Sequence, residues 1–133
     1  MRGIHIVGTG RALPEKILTN EDMSRLVDPS DEWIVTRTGI RQRHICEEET
    51  CASLAAAAAK KALQEAAAKE QVRPEEIAAV VVATATSDYD FPSTACLVQK
   101  ELGLSSETMA FDLAAASSGF LYGLEVCRGL LTD

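Results

Sequence analysis

Segments that favour strands alternate with segments that favour helices along this chain, and this alternation constrains its fold more than any other feature. Apolar runs at 3–9, 79–86 and 109–113 predict buried strands, and the run at 79–86 is apolar enough for both faces to be covered. Stretches with helical periodicity lie between and after these runs. We therefore expect an α/β protein with a largely parallel or mixed sheet, and no linker divides residues 1–133 into separate domains.

Capping residues mark where helices should begin and end. Asn20 is expected to cap a helix over 21–27, and Ser30 to cap a second helix that Gly39 ends. A strand over 40–45 should follow this pair. The acidic residues in the first turn of each helix suit the positive end of the helix dipole.

An alanine-rich helix is expected over 51–69, with Thr50 as its N-cap. Small side chains line one of its faces, which allows another element to pack closely against it. The residues on this face are Leu54, Ala58, Ala62 and Ala66. Since the acidic run 47–49 directly precedes the cap, we interpret it as a device that favours the helix start and not as a metal site.

Composition and charge narrow the classes of protein. Hydrophobic residues make up 47% of the chain and charged residues 25%, which is typical of a soluble globular protein. The formal net charge is −7, so we expect no nucleic-acid partner. No apolar stretch approaches the roughly 20 residues of a membrane helix, and the N-terminus lacks the apolar core of a secretion signal. The sequence therefore predicts a cytoplasmic protein that does not bind membranes.

Two further patterns lack part of what their chemistry requires. Cys46 and Cys51 are spaced more widely than a usual zinc clip and no second ligand pair follows, so we expect no metal. Gly8 and Gly10 follow a predicted strand, as in dinucleotide-binding proteins, but the third glycine position holds Leu13 and a proline comes next. We interpret the two glycines as residues of a tight turn.

Ser117 lies between a predicted strand and a helix expected over 120–131, where chemistry collects in open α/β sheets. One interpretation makes Ser117 and Ser118 helix caps only. A serine hydrolase is disfavoured, because that fold places its histidine after the serine and no histidine follows here. The helix itself is apolar on nearly all sides, so we expect most of its surface to be buried.

Several motifs stand together in this sequence. They are the segments 4–14 (IHIVGTGRALP), 30–41 (SDEWIVTRTGIR), 91–93 (FPS) and 111–120 (FDLAAASSGF), with Thr19-Asn20 between the first two. Together they resemble β-ketoacyl-acyl carrier protein synthase III, and the resemblance covers the whole chain. It implies the thiolase-like fold, an α/β fold of α-β-α-β-α layers built from two similar halves. This chain would hold the N-terminal half only, and the enzyme would be a homodimer.

The resemblance also implies an activity. An acyl group passes from acyl-coenzyme A to an active-site cysteine and is condensed with malonyl-acyl carrier protein, with loss of carbon dioxide, to initiate type II fatty acid synthesis. The cysteine's position falls at Ser117 here. Trp33 matches a tryptophan that stacks on the adenine of coenzyme A, Arg37 an arginine near the coenzyme, and Phe91 a residue that lines the partner subunit's acyl pocket. No cofactor is implied, and Pro29 departs from the hydroxyl residue common near the coenzyme.

Serine changes the expected chemistry at this position. The pKa of an alcohol is close to that of bulk water, far above the ~8.5 of a free thiol. A helix N-terminus contributes at most about 2 kcal/mol, which recovers little more than one pKa unit. The family's catalytic histidine and asparagine match no residue of this chain, so we predict that these 133 residues alone are inactive. The alternatives are a non-catalytic protein that binds coenzyme A or acyl groups or pairs with another chain, and an acyltransferase that uses serine.

Overall fold

The computed structural model of the protein describes residues 3–26, 28 and 30–130. The described residues form two compact units: the smaller consists of 13–49, and the larger combines 1–12 with 50–133. Both units contain helices and strands, as the alternating pattern predicted. That residues 1–133 are one uninterrupted part of a single enzyme stays a prediction.

The smaller unit contains two short helices between two short strands. Its elements are β1 (Ile17–Thr19), α1 (Asn20–Ser24), α2 (Asp31–Thr38) and β2 (Gln42–His44). The two strands pair antiparallel, with Ile17 opposite His44. The sequence predicted a strand at 40–45 but not its partner β1, which is too short for an alternating pattern to identify.

The helix caps of the smaller unit were predicted correctly for α2 and wrongly for α1. Ser30 caps α2 by accepting a hydrogen bond from the backbone N–H of Trp33 at 3.2 Å, and Gly39 ends the helix with a φ of 72°. The N-cap of α1 is Thr19, whose hydroxyl and backbone pair with Asp22 in a capping box. Asn20 is the first residue of α1, and only 1% of its surface is exposed. The predicted end of this helix at Val27 lies outside the described residues.

The larger unit is built on a parallel pair of strands. Its elements are α3 (Cys51–Glu70), β3 (Ala79–Ala83), α4 (Thr94–Glu101), β4 (Met109–Leu113) and α5 (Gly119–Leu130), with 3-10 turns at Pro74–Glu76 and Ala116–Ser118. Strand β3 pairs with β4 from Ala79 opposite Met109 to Ala83 opposite Leu113. Helix α4 connects the two strands and packs on both of them and on α3, while α5 packs on β3. The alanine-rich helix and its Thr50 cap are confirmed, whereas β3 is shorter than predicted and only half-buried.

The N-terminal segment was predicted to be a strand, and this prediction is wrong for the described residues 3–9. They pair with no strand in the described part of the chain, and Ile6 is 61% exposed. The end of the segment lies directly against the backbone of α3. A Cβ on Gly8 would lie 2.2 Å from the Ala62 carbonyl oxygen, and one on Gly10 would lie 2.1 Å from the carbonyl oxygen of Ala58. The two glycines therefore serve close approach to the small-residue face of α3 and not a tight turn.

Two aspartates hold the N-termini of α3 and α4. Asp88, which follows β3, accepts hydrogen bonds from the first two backbone N–H groups of α3 at 2.7 and 2.8 Å. Asp112, within β4, accepts from the first two N–H groups of α4 at 2.7 and 2.8 Å. Each carboxylate thus satisfies two backbone donors that a helix start leaves unpaired, and it places a negative charge at the positive end of the helix dipole.

Helix α5 was predicted to be buried on most sides, and this prediction is wrong for the described residues. Phe120 and Leu121 are each 66% exposed, and Tyr122 is 58% exposed. The buried positions of the helix are Gly119 and Gly123, on the side that packs on β3. An apolar helix does require cover, but within the described residues only one of its faces has any.

The close approach of the N-terminal segment to α3 leads to a first prediction. Gly8→Ala should lower the free energy of unfolding by about 1–3 kcal/mol, because the added Cβ overlaps backbone atoms of α3 that cannot move aside. Urea denaturation followed by circular dichroism measures the change. Gly3→Ala is the matched control, since no atom lies within 4 Å of its added Cβ. Equal stability of the two variants would contradict the close approach.

Glu65 on α3 also binds this segment. Its carboxylate accepts hydrogen bonds from the backbone N–H of Thr9 at 2.7 Å and from the Thr9 hydroxyl at 3.1 Å, and it pairs with Lys69. The hydrogen bond from Lys69, followed by those from Thr9, lowers the pKa of Glu65 from 4.5 to about 2. Because the pKa is lower in the folded chain, the contribution of Glu65 to stability is fully present above pH 4.5 and is lost as the pH falls toward 2.

We predict that the Thr9 amide becomes less protected from hydrogen exchange across this acidic window. NMR would measure the exchange rate, corrected for its intrinsic pH dependence. Glu65→Gln should remove the change, and Glu70→Gln, at an exposed position on the same helix, should retain it. Protection of Thr9 that varies with pH equally in both variants would show that another group is responsible.

Candidate functional site around Ser117 and on helix α2

Ser117 lies in the 3-10 turn between the end of β4 and the start of α5. The residue before it, Ala116, has a φ of 44°, in the left-handed region that residues with a side chain rarely occupy. This conformation costs roughly 1–2 kcal/mol for an L-residue other than glycine. The chain therefore makes a sharp, strained turn that presents Ser117 beside the N-terminus of α5. Strain of this kind is concentrated at functional sites.

The hydroxyl of Ser117 is exposed and has no hydrogen-bond partner among the described residues. The interpretation of Ser117 as a helix cap is therefore not supported by its contacts. Beside it lies a groove of about 450 Å³. The groove is lined by Ala55 and Ala59 of α3, residues 80–83 of β3, Val98 of α4, and Ala116, Ser117 and Phe120. An exposed hydroxyl at a helix N-terminus thus borders a mainly apolar surface.

No general base contacts Ser117 within the described part of the chain. Of the two histidines, His44 lies in the smaller unit, where its Nδ1 is 2.6 Å from the carbonyl oxygen of Pro14. His5 belongs to the exposed N-terminal segment. Activation of a serine requires a base that accepts its proton, and the described residues do not supply one at hydrogen-bond distance.

Helix α2 brings Trp33 and Arg37 together. The two residues are four apart, so they share one face of the helix, and the Arg37 guanidinium carbon lies 5.6 Å from the centre of the Trp33 ring. This distance is within the range of a cation–π interaction. Trp33 is 51% exposed, which leaves part of its ring accessible to a planar ligand. A flat aromatic surface next to a guanidinium suits a nucleotide with its phosphate groups.

Phe91 precedes Pro92, with a cis peptide bond between them, in the loop that connects β3 to α4. Its side chain is 89% exposed, so it is not a core residue in this chain. Phe91 is not among the residues that line the groove beside Ser117. Of the four residues singled out from the sequence, the structure brings Trp33 and Arg37 into contact. Pro29 lies outside the described residues.

Sequence reasoning missed the polar residues that position these sites. Asp112 lies five residues before Ser117, and the only signal was an acidic side chain inside an apolar strand. In residues 3–26, 28 and 30–130, no group of three or more His, Cys, Asp or Glu side chains is arranged to hold a metal ion. No helix in those ranges has the length and apolar character needed to cross a bilayer.

Comparison with known proteins identifies relatives along nearly the whole chain. No protein-family model matches it. β-Ketoacyl-[acyl-carrier-protein] synthase III of Desulfitobacterium hafniense strain Y51 is 50% identical over 124 residues, which cover 93% of this chain and 36% of that protein. The crystal structure of 3-oxoacyl-[acyl-carrier-protein] synthase III from Aquifex aeolicus VF5 matches with a TM-score of 0.90 at 48% identity, covering 97% of this chain and 40% of that one.

A more distant structure also shares the fold. It is a Cys-to-Ser variant of Xanthomonas campestris OleA with bound lauric acid and lauroyl-CoA, which matches with a TM-score of 0.80 at 27% identity over 95% of this chain and 39% of that one. In sequence and in its thiolase-like α/β fold, the chain is thus a relative of β-ketoacyl-[acyl-carrier-protein] synthase III, and it spans 36–40% of the length of the synthases it matches.

Proposed function

We propose that this chain is part of a condensing enzyme of fatty acid synthesis, in which Ser117 occupies the position of the nucleophile. The observation that carries the proposal is the strained turn at Ala116, which presents Ser117 at the N-terminus of α5. A helix N-terminus favours the negative charge that develops when a nucleophile attacks a thioester carbonyl. The relatives' names describe enzymes that act on acyl carrier protein, which supports the same class of substrate here.

The proposed reaction has two steps. In the first, the acyl carbon would leave the sulfur of coenzyme A and bond to the nucleophile, and coenzyme A would depart as the thiol. In the second, malonyl-acyl carrier protein would lose carbon dioxide, and the carbon that carried the carboxylate would bond to the acyl carbon. The bond between the acyl carbon and the nucleophile would break in the same step, which gives a 3-oxoacyl product and the free nucleophile. Coenzyme A is a substrate in this scheme, and no cofactor is required. The setting we propose is a cytoplasmic homodimer.

Trp33 and Arg37 would bind the nucleotide end of acyl-coenzyme A. Contact with the Trp33 ring holds the guanidinium of Arg37 in place, so a phosphate group can reach this cation. The exposure of Trp33 supports stacking on the adenine. Exposed Phe91 would reach the acyl pocket of the partner subunit, in keeping with its lack of core contacts.

Serine would impair the first step. Its hydroxyl is a far weaker acid than a thiol, and no base among the described residues lies within hydrogen-bond distance to remove the proton. Ligand binding does not require the thiol, since the Cys-to-Ser variant of OleA was solved with lauroyl-CoA bound. We therefore infer a chain that binds acyl-coenzyme A but does not retain its acyl group.

Incubation with acetyl-coenzyme A followed by intact mass spectrometry tests the role of Ser117. The wild-type chain should gain no acetyl group, whereas Ser117→Cys should gain one, because a far larger fraction of a thiol ionises near neutral pH. The four native cysteines are present in both proteins, so background acetylation is the same in each. A stoichiometric adduct on wild-type Ser117 would favour an acyltransferase that uses serine. Binding of coenzyme A without an adduct in Ser117→Cys would favour a non-catalytic binding protein.

Trp33 is the one tryptophan of the chain, so its fluorescence reports on the coenzyme site directly. Coenzyme A should quench this emission, and Arg37→Ala should weaken binding about tenfold through loss of a hydrogen bond to a charged phosphate. The matched control is Arg25→Ala, an exposed arginine of the same unit that pairs with Glu21 and Asp22. Absence of quenching in the wild type, or an equal effect of both substitutions, would overturn the assignment of Arg37.

A further inference from the structure

One buried side chain connects both ends of the helix that carries Trp33 and Arg37. The Nδ2 of Asn20 donates a hydrogen bond to Oδ1 of Asp31, the first residue of α2, at 2.8 Å. It donates a second one to the carbonyl oxygen of Ile40, just after the end of α2, at 2.7 Å. The backbone N–H of Asn20 donates to the carbonyl oxygen of Arg41 at 3.2 Å. Three hydrogen bonds from a single residue therefore fix where α2 begins and where it ends.

Burial of apolar side chains does little to hold α2 in place. The helix has eight residues, and Ile34 is the one buried residue among them. Helices shorter than roughly 12–15 residues are marginal in water unless tertiary contacts support them. Burial of one apolar side chain favours contact but does not fix the orientation of the helix, whereas hydrogen bonds specify both distance and angle.

The amide is specifically suited to this position. Both of its side-chain partners are acceptors, so the group between them has to donate twice, which neither a carboxylate nor an apolar side chain can do. The Oδ1 of Asn20 is buried and has no hydrogen-bond partner in the described part of the chain. An unpaired buried oxygen opposes folding, so this amide is not the residue that stability alone would favour.

From these contacts we infer that Asn20 is a positioning residue for the nucleotide end of acyl-coenzyme A. By fixing both ends of α2, it holds Trp33 and Arg37 in the arrangement that binds a nucleotide. Less conformational entropy is then lost when the ligand binds. This inference rests on the proposed role of Trp33 and Arg37, but Asn20 itself does not contact the ligand in this scheme.

Asn20→Asp provides the sharpest test, because it removes both donors and faces the carboxylate of Asp31. Titration of the 133-residue chain with coenzyme A and with adenosine 3′,5′-bisphosphate, followed by Trp33 quenching, should show at least tenfold weaker binding of both. Trp33 anisotropy should fall in the free variant as the ring becomes more mobile. The exchange of charges in the double variant Asn20→Asp with Asp31→Asn restores the hydrogen bond between the two positions, and it should recover part of the affinity.

Thr36→Ala is the matched control on α2. Among the described residues, the Thr36 hydroxyl bonds only to the backbone carbonyls of Glu32 and Trp33 in the same helix, so affinity should stay within twofold of the wild type. If Asn20→Asp does not fold, Asp31→Ala removes one of the connections at an exposed position and should weaken binding about threefold.

The outcomes separate the two proposals. Absence of quenching in the wild type would overturn the proposed function. Normal quenching in the wild type, together with affinity within twofold in folded Asn20→Asp or in Asp31→Ala, would overturn the positioning role of Asn20 alone.

Discussion

Alanine fills most of the apolar core of the larger unit, and the rest of the structure depends on this constraint. Among the described residues of this unit, the buried apolar ones are Ala52, Ala56, Ala66, Ala95 and Val98. Each buried methyl or methylene group stabilises the fold by only about 0.8 kcal/mol. The stability of such a core therefore depends more on close contact between its atoms than on side-chain volume. Elements can approach this closely only where both surfaces are small, as where the backbone at Gly8 and Gly10 meets α3.

Directional polar contacts supply the positional information that small apolar residues do not. Asp88 and Asp112 fix the starts of two helices, and Asn20 fixes both ends of a third. Gln99 adds a similar contact, since its side-chain Nε2 donates hydrogen bonds to the carbonyl oxygens of Ser105 and Thr108. The side chains assigned to substrate are all exposed, whereas those that hold the fold are buried or half-buried. Substitutions of the exposed residues should therefore affect substrate binding or chemistry, whereas substitutions of the buried or half-buried residues should affect the geometry of the fold.

Local signals predicted local structure well. The caps Ser30 and Thr50 were recognisable because a cap binds an N–H only two or three residues away. The apolar run at 3–9 was misleading, since apolar character indicates a need for cover but does not say whether a strand or a helix provides it. Asn20 is a residue type that often caps helices, yet its partners Ile40 and Arg41 lie 20 and 21 residues away, beyond any local pattern.

The candidate site divides in the same way. A strand, a run of small residues and a helix were enough to single out Ser117. The left-handed conformation of Ala116 could not be predicted, because the residue at this position is not a glycine. Helical spacing places Trp33 and Arg37 on one face, whereas their assignment to coenzyme A required the resemblance to a family. No sequence rule connects Asp112 to the start of α4, because that contact depends on how the strand and helix pack.

The two aspartate anchors also have a consequence for the order in which the chain acquires its structure. The first turn of α3 is completed by a carboxylate 36 to 37 residues further along the chain, and that of α4 by one 17 to 18 residues further along. During synthesis, the first two backbone N–H groups of each helix therefore lack their carboxylate partner until the next strand region has left the ribosome. Helices α3 and α4 acquire their final N-terminal turns in step with the strand pair, which couples local helix formation to assembly of the sheet.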